Sequence, residues 1–192
     1  MNSRIAQAGK QNGSLVKRFC DSQHADLSRL ANKVAHLFTD GGQLLTAGAG
    51  IFHLAAQLMA TQFVYRLDFD RPALPAICLG SDAALGSALA SAGEYEQLFV
   101  RHYRALAGEK QMLLLLGDGN SNLALQRVRD DVLGSGQDVV LISGVGVRDP
   151  LYCKELDSCL DLDSDSRARQ IELTQFAGHL FCELVEAELF QC

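Results

Sequence analysis

Met112-Leu113-Leu114-Leu115-Leu116-Gly117-Asp118-Gly119-Asn120-Ser121 reads as an apolar strand, a tight glycine turn and the start of a helix. The same order occurs earlier, where Leu44-Leu45-Thr46 leads into Gly48-Ala49-Gly50-Ile51-Phe52. A short apolar run bounded by turn residues is the pattern of a strand buried on both faces. A helix that follows such a strand through a glycine turn aims backbone N–H groups and its dipole at one point, where an anion is favoured. Two such strand–turn–helix units in one chain point to a parallel α/β sheet.

Upstream, the first twenty residues form a weak helix interrupted by Gly9 and Gly13. Asp21-Ser22 then cap a clearer helix with Leu27, Leu30, Val34, Leu37 and Phe38 on one face, and Gly41-Gly42 end it. Gln43 to Thr46 is a strand, and a helix runs from the Gly48 loop through His53 to about Tyr65. Asp70-Arg71-Pro72 break the pattern before a strand over Pro75 to Leu79. Helices follow over Ala83 to Ala90 and Glu94 to Leu106, then the strand Gln111 to Leu116 and a helix over Asn120 to Leu133. Asp138 to Ser143 and Cys159 to Leu162 are the remaining strands.

Strands alternating with helices at this spacing predict parallel strands joined by right-handed crossovers. The expected fold is a three-layer α/β/α sandwich with a parallel sheet of about five strands. One domain over 1–192 is expected, with N-terminal helices over 1–40, an α/β core over 41–165 and an oligomerisation helix over 166–192. That last helix, about Arg167 to Phe190, is apolar around most of its circumference. Leu173, Phe176, Leu180 and Leu184 share one face, and Ile171, Gly178, Cys182, Val185 and Leu189 another, which predicts burial between subunits.

The composition, 48% hydrophobic and 21% charged over 192 residues, suits a single packed α/β domain. No apolar run approaches the ~20 residues of a membrane span. Met1-Asn2-Ser3-Arg4 has no apolar signal core, so a cytoplasmic location is expected. The net charge of −6 argues against direct binding to nucleic acid. Cys20, Cys78, Cys153, Cys159, Cys182 and Cys192 contain no Cys-x-x-Cys pair. They read as small apolar side chains, and neither a metal nor a cofactor is expected.

Five pieces in order carry a family resemblance: Gly48-Ala49-Gly50, Arg71-Pro72-Ala73-Leu74-Pro75-Ala76-Ile77, Arg104-Ala105-Leu106, Gly119-Asn120-Ser121 and Cys182-Glu183-Leu184-Val185-Glu186. Together they resemble the sugar isomerase (SIS) domain, a flavodoxin-like fold, over roughly Leu27 to Phe190. The branch it resembles holds phosphoheptose isomerases and DnaA initiator-associating proteins. The resemblance places a phosphosugar pocket at Gly48, Gly50, Phe52, Asp118, Gly119, Asn120 and Ser121, with much of its chemistry replaced. Phe52 stands where active members carry a serine. Leu116, Gly117 and Asp118 stand where they carry three phosphate-binding hydroxyls, and Ser121 is retained. Asp118 is expected to act as a built-in anion that caps the following helix and fills the site.

Zinc-binding members would place ligands at Leu58, Gln62, Ile171 and His179, and of these only His179 has a ligand side chain. An Asn-Asp pair of the family falls on Ser91-Ala92. His53 matches a histidine of some phosphoheptose isomerases, or else bonds locally at a helix start. Asp82, after Ser81, is expected to cap a helix.

The function expected from these losses is a non-catalytic scaffold, a homo-oligomer that is tetrameric by resemblance, that binds the replication initiator DnaA and promotes initiation. Ala187-Glu188-Leu189-Phe190 resembles the end through which initiator-associating members engage their partner. Leu189 and Phe190 are therefore either an exposed partner-binding pair or the finish of the helix core. The alternative function is a sedoheptulose 7-phosphate isomerase or a sugar-phosphate-binding regulator. The spaced Gly-x-Gly-x-x-Gly fingerprint of dinucleotide-binding folds is absent, since Ile51-Phe52-His53 follows Gly50.

Overall fold

The apolar runs of the sequence become the strands of one parallel sheet. A computed structural model describes residues 2–106 and 108–190; Met1 and Cys192, both read above, lie outside the described residues. The elements in chain order are α1 (Asn2–Thr39), β1 (Gln43–Gly48), α2 (Ile51–Val64), β2 (Ala76–Cys78), α3 (Ala83–Ala92), α4 (Leu98–Leu106), β3 (Gln111–Gly117), α5 (Leu123–Gly134), β4 (Asp138–Ser143), β5 (Ser158–Asp161) and α6 (Arg167–Phe190). Short 3-10 turns lie at Tyr95–Gln97, before α4, and at Gly146–Arg148, after β4. The strands lie in the order β2-β1-β3-β4-β5, all parallel, as the three-layer reading requires.

Alternation along each strand divides the core in two, because successive side chains point to opposite faces of the sheet. Leu44, Met112, Leu114, Leu116, Val140 and Ile142 face one cluster, completed by α1, α2 and α6. Leu45, Ala47, Leu113, Leu115, Val139 and Leu141 face the other, completed by residues of α3, α4 and α5. β3 is buried along its whole length, which explains why it is the most apolar stretch of the chain.

Two expectations are corrected here. The weak N-terminal helix and the clearer one after it are a single helix of 38 residues, so Asp21-Ser22 cap nothing. Gly9 and Gly13 cost about 1 kcal/mol each in a helix interior. Burying Leu15 and Phe19 against α6 contributes about 3–6 kcal/mol in return, and Phe19 meets Phe176 edge-on at 6.4 Å. Asp21 instead pairs with Lys17 one turn back, at 2.9 Å.

The second correction concerns α6. Its broad apolar surface is covered within the chain, by α1 on one side and α2 on the other. Leu173, Ala177, Phe181, Cys182 and Val185 are all buried there, and Gly178 admits Met59 of α2 so closely that a Cβ would lie 2.7 Å from its methyl carbon. The long α1 covers these residues within the chain, while Phe176, Leu180, Leu184 and Leu189 of α6 stay half-buried.

Candidate functional site

Ligands of open parallel sheets bind outside the carboxyl ends of the strands, where the strand order reverses. Here that point lies between β1 and β3, which are hydrogen-bonded neighbours although β2 intervenes in the chain. Both glycine loops follow these two strands, so the topology brings together loops that are 69 residues apart in sequence, Gly48 and Gly117.

The first loop is tight by necessity. A Cβ on Gly48 would lie 2.6 Å from the Phe52 carbonyl oxygen. Gly50 sits at φ 57°, ψ −128°, a conformation that suits glycine, and starts α2 with no side-chain cap. Beside it lies a cavity of about 260 Å³, lined among others by Gly48, Gly50, His53, Gly80, Tyr95 and Asn122. Gly80 is also at positive φ, 81°, and a Cβ there would meet the Phe99 ring at 2.7 Å. Its N–H donates to His102 Nδ1 at 2.9 Å, which leaves a neutral ring carrying its proton on Nε2.

Phe52 does not line this cavity. It is 1% exposed and belongs to the core beneath α2, so the position that carries a serine by resemblance is given over to packing. His53, the next residue, is half-buried, lines the cavity and sits with Nδ1 4.0 Å from the Cys78 sulfur. Burial pushes the Cys78 thiol up, with hydrogen bonds to Ser81 and Thr46 acting the other way. The thiol therefore stays protonated, donating to the Leu79 carbonyl, and the pair is not an activated Cys–His nucleophile.

The second loop differs from its expected arrangement. Asp118 does not cap α5. Its Oδ1 accepts from the Asn120 N–H at 3.0 Å, inside the loop, and its Oδ2 lies 3.7 Å from Arg167 at the start of α6. The cap is Asn122, whose side chain accepts from the Leu125 N–H at 3.1 Å. Gly119 takes φ 78°, and Ser121 is exposed, its hydroxyl accepting from Gln126 at 3.4 Å. The carboxylate held against this loop is Asp149, which the sequence reading passed over. It is 3% exposed and accepts from the Gly119 N–H at 3.0 Å, the Ser143 hydroxyl at 2.6 Å and the Leu151 N–H at 2.9 Å. The one signal in the sequence was an aspartate before Pro150 in a Gly- and Asp-rich loop, which also describes an ordinary turn.

The positions of possible zinc ligands do not converge on side chains that bind metal. Leu58 is exposed on α2, Gln62 is buried in the seam with α6, Ile171 is half-buried and His179 is exposed. Among the described residues, no group of three or more His, Cys, Asp or Glu side chains is placed to hold a metal ion. Asp82 is the N-cap of α3, accepting from the N–H groups of Ala84 at 2.9 Å and Leu85 at 3.0 Å, as expected. Ser91 and Ala92 end the same helix. Leu189 and Phe190 are half-buried at the end of α6, with Phe190 edge-on to Phe69 at 5.9 Å.

A family model described as SIS domain matches residues 10–126. The phosphoheptose isomerase of Solidesulfovibrio magneticus is 30% identical over 173 residues, covering 88% of this chain and 82% of that protein. That of Aneurinibacillus thermoaerophilus is 28% identical over 166 residues, 86% and 82% of the two chains. The structure of a phosphoheptose isomerase from Francisella tularensis superposes with a TM-score of 0.84 at 22% identity, over 95% of this chain and 96% of that one. These relatives overturn the expectation of a DnaA-binding scaffold: they carry the isomerase name, and the loss of loop hydroxyls was not a sign of the initiator-associating branch. With five parallel strands in this order, glycine loops at the switch point and matches over most of its length, the chain belongs to the SIS domain family.

Proposed function

We propose that the chain binds a sugar phosphate in the first-loop cavity and stands on the phosphoheptose isomerase side of its family, with sedoheptulose 7-phosphate the first ligand to try. The observation that carries the reading is the cavity of about 260 Å³ at the carboxyl ends of β1 and β2, facing the uncapped N-terminus of α2. Such an end attracts an anion through its dipole, while the Phe52 and His53 N–H groups turn back onto the Ala49 and Gly50 carbonyls. The names of the relatives support the ligand class. The cytoplasm is the location that goes with this reading.

Aldose–ketose isomerisation moves a proton between adjacent carbons and needs a base within reach of both. Among the described residues His53 is the one imidazole lining the cavity, so the reading gives it that role. One observation favours binding without turnover, as in a sugar-phosphate sensor: no carboxylate is among the lining residues to orient or assist the imidazole.

Calorimetric titration with sedoheptulose 7-phosphate, paired with an isomerisation assay on the wild type and His53→Asn, tests both. Turnover that falls roughly 10²–10⁴-fold in the variant identifies an isomerase working through His53. Binding without turnover in the wild type identifies the sensor. Absence of binding rejects the proposal.

A further inference from the structure

We propose that Asp149 is the resident anion of the second glycine loop and closes that loop to external phosphate, so that the anionic group of any ligand is received at the first loop. The inference deepens the proposed sugar-phosphate reading by naming which loop takes the anion. It rests on that reading only for the ligand's identity, since closure of the loop stands on its own geometry.

A strand–glycine–helix turn is concave towards an anion because its N–H groups converge. In the second loop that anion is already part of the chain. Asp149 accepts the Gly119 N–H at 3.0 Å, and it accepts as well from the Ser143 hydroxyl and the Leu151 N–H. Gly117 completes the fit, for a Cβ there would collide with the Asp149 carboxylate. The carboxylate thus packs directly on the backbone where a side chain at 117 would otherwise project. Asp118 adds a second negative charge at the rim and takes the Asn120 N–H, so a further donor of this loop is also used internally.

An external phosphate has two obstacles here. It must displace a tethered carboxylate whose effective concentration is far above that of any free ligand. It must also approach two aspartates of like charge, of which Asp149 is buried and weakly screened while Asp118, at the rim, is partly offset by Arg167 3.7 Å away. Neither obstacle exists at the first loop, whose lining residues include no acidic side chain. The two loops share a topology and differ in occupancy, and Asp149 is the residue that makes the difference.

The test is a titration of the whole chain with inorganic phosphate and then sedoheptulose 7-phosphate, followed by amide chemical shifts. Wild type, Asp149→Asn and Asp149→Ser are compared. The expected result is that Gly119 and Asn120 amides of the wild type do not respond to either ligand. In at least one variant the same amides respond, with phosphate affinity at least tenfold above the wild type and a melting temperature that rises with phosphate. Gly119 shifts in the wild type overturn the proposal, and so do folded variants that gain no phosphate affinity. Should both variants fail to fold, the wild-type titration decides alone. If sedoheptulose 7-phosphate moves no amide of the wild type while the variants gain a phosphate site, the functional reading fails and the closure by Asp149 stands.

Discussion

Arg71 and Glu186 are 115 residues apart in the chain and meet in the interior, with Arg71 Nε donating to Glu186 Oε1 at 2.6 Å. Their side chains are 1% and 3% exposed. Arg71 also donates to the carbonyls of Phe63 at 2.8 Å and Gln62 at 2.9 Å, the last turn of α2, where a cation also suits the helix dipole. Glu186 accepts further from the Leu67 N–H at 3.4 Å and the Cys182 thiol at 3.7 Å. Removing one member of such a pair leaves a buried charge uncompensated. Glu186→Ala is expected to lose about 3–5 kcal/mol in denaturant unfolding. A loss below about 1 kcal/mol would show that water or another residue replaces the carboxylate. Both residues fall within the motifs that carried the family resemblance, yet no local pattern shows that the motifs touch each other.

Among the elements, α1 shows how a long surface helix is held in register. Arg29 and Lys33 reach the sheet edge, where Asp157 accepts from them at 3.0 Å and 2.6 Å, and Lys33 also lies 2.9 Å from Asp138. Burial acts to raise the Asp157 carboxyl, but the hydrogen bonds and charges of Lys33 and Arg29 outweigh it and hold the group below its ordinary range. A carboxyl lowered in the folded state contributes stability that is present above its unfolded pKa and lost as pH falls through the folded one. For Lys33, burial acts to lower the ammonium, and the hydrogen bonds to Asp157 and Asp138 more than reverse it, so its contribution is full below its ordinary value and lost as pH rises through the raised one. The clamp therefore holds across neutral pH and weakens at both extremes. Asp157→Asn should cost about 1–2 kcal/mol at pH 7 and less at pH 3, read from melting curves across pH. Equal losses at the two values would exclude a charge-based clamp.

For the molecule as a whole, the thiols report on its integrity. Cys182 has no exposed surface between α6 and the core. Burial, and then the neighbouring Glu186 charge, push its thiol up to about 12. Since the thiolate is the reactive species, alkylation of Cys182 at pH 8 is expected only through global unfolding. Its labelling rate should match the unfolding rate measured independently, and faster labelling would reveal local opening of α6. Among the described residues the cysteines are all free, with Cys78 and Cys182 buried and Cys20, Cys153 and Cys159 half-buried.

The division between what sequence and tertiary structure decide follows from the range of the forces involved. Periodicity and turn chemistry are local, so β4 and α6 have the bounds read from the chain, and the other strands and most helices lie within a few residues of theirs. The two glycine loops were legible for the same reason, because Gly48 must clear the Phe52 carbonyl in its own turn. The continuity of α1 was not legible, since local propensity favours a break at Gly9 and Gly13 and only packing on α6 overrides it. The site divides in the same way. Phe52 reads as a pocket residue by position and is a core residue by burial, and Asp118 reads as the cap and the anion while Asn122 and Asp149 hold those places. By itself the sequence determined the strands, the loops and the family. Which carboxylate meets Gly119 was decided by the tertiary structure, because Asp149 arrives there from 30 residues away through the pairing of β3 with β4, and no local pattern encodes a contact made across a sheet.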